Sequence, residues 1–136
     1  MCVRLLIGAV LAFGLIATDV VALTGSASAR MYKGSTAQGY PIKFTVKEKR
    51  FKILRFEADL KCGDGTVLTL IESGFLWTQA GRNGSFRDAQ FGKTDEVFFR
   101  GRLSEKRIRG RMRLTDRLRP GVKCRSRWIS YNAAAR

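Results

Sequence analysis

The stretch Leu54-Arg55-Phe56-Glu57-Ala58-Asp59-Leu60-Lys61-Cys62 alternates apolar and charged side chains without a fault. Successive side chains of an extended chain point to opposite faces. Leu54, Phe56, Ala58, Leu60 and Cys62 are therefore expected on a buried face, with Arg55, Glu57, Asp59 and Lys61 on a wet one. The rhythm recurs upstream, where Ile42, Phe44 and Val46 alternate with Lys43, Thr45 and Lys47 behind Pro41, a residue tolerated at the first position of a strand. After residue 29, spacings of three and four never persist over a helix-length window.

Turn chemistry punctuates these runs. Gly63-Asp64-Gly65 follows the Cys62 strand, Asn83-Gly84 marks a tight hairpin before Phe86, and Pro120-Gly121 leads into the last strand. About nine short strands at a spacing near 11 residues predict an all-β domain. The expectation is an antiparallel two-sheet β-sandwich, with a closed β-barrel as the alternative.

The N-terminal residues read as a secretory leader. Arg4 precedes an uncharged apolar run from Leu5 to Ala17, and Ala27-Ser28-Ala29 offers the small side chains that a signal peptidase reads. Residues 1–29 are expected to be a signal peptide and residues 30–136 a single secreted domain, extracellular or in the cell envelope. The alternative is a retained anchor over Val3 to Leu23, weakened by Gly8, Gly14 and Asp19. Once the leader is cleaved, no stable membrane insertion is expected. Cys2 leaves with the leader, and Cys62 and Cys124 remain to form one disulfide outside the cytosol. Such a bridge would close a loop of about 60 residues and contribute on the order of 4 kcal/mol. It is expected to tie an early strand to the last one, with a path across the core open to it.

The net charge is +15, and losing Arg4 and Asp19 with the leader leaves it unchanged. The chain has no histidine, which excludes Ser-His-Asp triads, Cys-His pairs and histidine-built zinc sites. Neither cysteine has the Cys-x-x-Cys spacing of a redox pair. No catalytic residue, metal site or cofactor is expected.

Charge is most concentrated between Glu96 and Thr115. With Glu105-Lys106 as a two-residue turn, Leu103 opposes Ile108, Gly101 opposes Gly110 and Phe99 opposes Met112; a slip of one residue would destroy this apolar match. Arg102 then opposes Arg109 and Arg100 opposes Arg111, with Arg107 and Arg113 completing a cationic row. One reading is a solvated face, or one neutralised by Glu57 and Asp59 on a neighbouring strand. The other is a flat surface for a polyanion, since guanidinium groups suit bidentate contact with phosphate, sulfate or carboxylate. Phe98 projects from the arginine side and is a candidate stacking residue. Lys47, Lys49, Arg50 and Lys52 surround a turn. Lys123, Arg125 and Arg127 alternate with Cys124, Ser126 and Trp128, which puts Ile129 and Tyr131 on the basic face of the last strand. Phe44, Phe56, Phe99 and Trp128 are assigned to the core.

The pattern Tyr32-x-Gly34-x-Thr36, Gly39-Tyr40-Pro41-Ile42-x-Phe44-x-Val46, Phe56 to Cys62-x-Asp64-Gly65 and Cys124-x-x-x-Trp128 resembles a group of small secreted β-domain proteins of unknown function, common in actinobacteria. Gly101 and Gly110 fit the same pattern. The resemblance implies export, two cysteines able to pair and an all-β domain, and it carries no activity or ligand.

Three functions follow as expectations. The first is a non-catalytic secreted or cell-surface protein that binds anionic polysaccharide, cell-wall polymer or extracellular nucleic acid through Arg100, Arg102, Arg107, Arg109, Arg111, Arg113 and Phe98. The second is a protein-binding module or inhibitor that uses exposed sheet edges. The third is a hydrolase built on two carboxylates, for which Glu57 and Asp59 form the close same-face pair.

Overall fold

The computed structural model describes residues 27–117 and 120–136, so residues 1–26 of the expected leader lie outside the described residues. All regular structure among the described residues is strand. In chain order the strands are β1 (Arg30–Thr36), β2 (Pro41–Lys47), β3 (Arg50–Cys62), β4 (Val67–Ser73), β5 (Thr78–Gln79), β6 (Ser85–Phe91), β7 (Asp95–Leu103), β8 (Arg107–Asp116), β9 (Cys124–Arg125) and β10 (Ile129–Ala135). The two extra-short strands, β5 and β9, are the kind that periodicity cannot see.

Pairing runs β10-β1-β2-β3-β9-β8, and β8 pairs back onto β10, which closes a six-strand barrel. Four strands lie outside it: β4 and β5 extend from β3, and β7 and β6 extend from β8. The expected two-sheet sandwich is therefore corrected to the alternative, a closed barrel. Closure rests on β10, which uses one edge on β1, with Tyr32 opposite Ala135, and the other on β8, with Ile129 opposite Met112. The outer strands still feed the core. Phe86 of β6 and Phe99 of β7 approach Phe51 of β3 with ring centroids 4.4 and 6.1 Å apart.

Two bulges reset the alternation. In the β2–β3 ladder Lys43 pairs with Arg55 and Phe44 with Ile53, so Leu54 is the extra residue. It leaves the buried face expected for it. Phe51 and Ile53 point inward before it, and Phe56, Ala58, Leu60 and Cys62 after it. The second bulge separates β9 from β10. Arg125 pairs with Thr115 and Ile129 with Met112, so Ser126, Arg127 and Trp128 face only two residues of β8. The Leu114 amide donates to the Ser126 hydroxyl at 2.9 Å and the Ser126 amide to the Leu114 carbonyl at 3.0 Å, which fastens the bulge.

This second bulge overturns three sequence assignments. Trp128, expected in the core, is exposed, while Ile129 and Tyr131, expected on a basic face, are buried. The turn at Asn83-Gly84 forms, with Gly84 at φ 79° and the Asn83 side chain accepting from the Ser85 amide. It does not make a hairpin, because β5 pairs with β3 and β6 with β7.

Cys62 and Cys124 are joined, and they are direct cross-strand partners of β3 and β9 with Cα atoms 3.9 Å apart. The disulfide therefore staples adjacent barrel strands rather than crossing the core. Such a bridge fits an oxidising, non-cytoplasmic environment. Next to it β3 has a gap between β2 and β9, and the Gln38 side chain bridges it: its amide donates to the Asp59 carbonyl at 3.1 Å and its oxygen accepts from the Asp59 amide at 2.9 Å. No helix among the described residues is long and apolar enough to cross a membrane.

Candidate cationic aromatic face

The β7–β8 hairpin forms in the register that its sequence requires. Leu103 opposes Ile108, Gly101 opposes Gly110, Phe99 opposes Met112, Arg102 opposes Arg109 and Arg100 opposes Arg111. Glu105-Lys106 is the two-residue turn, closed by the Ser104 amide donating to the Arg107 carbonyl at 2.8 Å. The facing glycines are needed for close approach. A Cβ on Gly110 would run into the Arg100 carbonyl and stand 2.6 Å from the Tyr131 hydroxyl; one on Gly101 would stand 2.9 Å from the Phe86 ring. Burial pushes the Tyr131 phenol well above its ordinary range, and its hydroxyl donates to the Arg100 carbonyl at 3.4 Å.

Arg100, Arg102, Arg107, Arg109 and Arg111 are exposed, and Arg113 and Phe98 are half-buried, all on the outer side of the hairpin. The register adds Arg87 of β6, opposite Arg100, so that Arg87, Arg100 and Arg111 cross three strands side by side. The flanking positions are neutral: Ser85 beside Arg102, and Ser130 and Asn132 of β10 beside Arg111 and Arg109. Among the described residues none of these seven arginines makes an ion pair. Glu57 and Asp59, expected as neutralising neighbours, are elsewhere. Glu57 pairs with Arg55 at 3.1 Å, and Asp59 accepts from Tyr40 at 3.0 Å and Thr69 at 2.7 Å.

Aromatic rings thread through the cations. The guanidinium carbons of Arg100 and Arg113 lie 4.8 and 5.2 Å from the Trp128 ring centre. Arg113 is also 5.6 Å from the Phe98 ring, whose edge contact with Phe91 spans 6.1 Å. Trp128, Arg113, Phe98 and Phe91 thus form a strip across the sheet from the bulge to β6. Such guanidinium–ring contacts contribute about 0.5–1 kcal/mol each at exposed sites.

Sequence reasoning missed Arg87, Phe91 and Trp128. Arg87 was readable as alternating with Phe86, but its place beside Arg100 depends on the β6–β7 register. Trp128 carried no outward signal, because period-two counting across a bulge assigns the wrong face.

A separate acidic group lies between β4, β7 and β8. Burial first, then the Asp95 and Asp116 carboxylates, push Glu72 up to about 7. No group of three or more His, Cys, Asp or Glu residues is arranged to hold a metal among the described residues. Comparison with protein families, curated proteins and solved structures finds no match.

Proposed function

We propose that this is a non-catalytic protein, secreted or held in the cell envelope, that binds anionic polymers through the outer face of β6, β7 and β8. The observation that carries this reading is a continuous array of seven arginines that have no carboxylate partner among the described residues. Opposed like charges cost about 0.2–1 kcal/mol per pair, and a polyanion lying across the face would turn that repulsion into attraction. The disulfide and the leader-like N-terminus support export. The engagement of Glu57 and Asp59 in local contacts supports the non-catalytic reading.

The test is a titration of the purified protein with dextran sulfate at rising salt. Binding should weaken steeply with salt as counterions are released. The Arg100→Ser, Arg102→Ser, Arg109→Ser, Arg111→Ser variant should lose binding while its melting temperature holds or rises. No wild-type binding near physiological salt, or equal binding by the variant, would refute the proposal.

A further inference from the structure

We infer that the polymer this face selects is single-stranded nucleic acid, an inference that rests on the polyanion-binding reading above. Arginines alone would serve any sulfated or phosphorylated chain. The added feature is the aromatic strip: Trp128 is 39% exposed and Phe91 71% exposed, although neither is needed in the core. Both rings adjoin the arginine rows through Arg113 and Phe98.

A cationic track with aromatic platforms beside it matches what an unpaired strand presents, a phosphate backbone with free base faces at its side. Acidic polysaccharides offer the charge without the planar π-faces. A duplex keeps its bases stacked inside, where their π-faces are closed to the Trp128 and Phe91 rings. The Arg100 and Arg113 guanidinium groups beside Trp128 extend the platform, since bases stack on arginine as well as on rings.

The experiment compares oligothymidylate, the matching duplex and dextran sulfate on the same protein. Base stacking contributes about 1–3 kcal/mol per base. Trp128→Ala should therefore weaken oligothymidylate binding by about five- to 150-fold and leave dextran sulfate binding nearly unchanged. Phe91→Ala should act in the same direction, and because Phe91 is a peripheral side chain this variant guards against a folding defect in the first. Trp77 is the chain's other tryptophan; in a Trp77→Phe background, oligothymidylate should quench the Trp128 emission and dextran sulfate should not. Equal loss on both polymers, absence of quenching, or duplex binding as tight as single-strand binding would overturn this inference while leaving polyanion binding intact. Failure to bind either polymer would overturn both.

Discussion

Replacing Cys62 and Cys124 together with alanine should cost this fold much of its stability. The bridge spans a sequence separation of 62 residues. In the chain-entropy model, closing a loop of that length in the unfolded chain contributes about 4 kcal/mol. The local geometry offers little compensation. β9 has two residues and pairs with β3 only at Lys61–Arg125 and Cys62–Cys124, and with β8 only at Thr115 and Asp116. For a domain near 100 residues each kcal/mol moves the melting temperature by about 4–8 °C, so the expected loss is about 15–20 °C at the small-shift end. Thermal unfolding followed by circular dichroism, with wild type and double variant at equal concentration, measures it directly. A loss below about 5 °C, worth roughly 1 kcal/mol, would refute the view that the bridge acts by constraining the unfolded chain.

Two further outcomes test the sheet and its acids. Gly110→Ala forces a Cβ against the Arg100 carbonyl and the Tyr131 hydroxyl and should cost about 1–3 kcal/mol, whereas Gly63→Ala, whose nearest neighbour is 3.9 Å away, should be tolerated; equal melting temperatures would refute the close approach. Glu72 holds its proton in the folded state up to about 7 against an ordinary 4.5. Its contribution to stability is therefore present below the lower value and lost as pH rises through the upper one. Glu72→Gln should match wild type in acid and melt higher than wild type above neutral pH, and a difference that does not change with pH would contradict the shift.

Much of the fold was legible because a half-buried antiparallel strand imprints period two on its sequence. The all-β class, the start of β2 at Pro41, the turn at Gly63-Asp64-Gly65 and the register of the β7–β8 hairpin follow from alternation and turn chemistry alone. Adjacent strands joined by a two-residue turn leave one pairing that buries Leu103, Ile108, Phe99 and Met112 together. That local constraint also put six arginines on one face before any long-range contact was known.

The tertiary structure decided whatever depends on partners distant in sequence. Alternation is the same in a sandwich and in a barrel, and the choice lies in whether the edges of β10 find both β1 and β8. Two cysteines far apart in the chain announce a bridge but not that they are side by side on β3 and β9. One inserted residue flips every side chain after it, so the bulges at Leu54 and at Ser126 to Trp128 moved Leu54 off the core face and turned Trp128 outward. An insertion is defined only against the strand that opposes it. Six of the seven arginines of the proposed binding face could therefore be read from the sequence, and Arg87 and the tryptophan only from the fold.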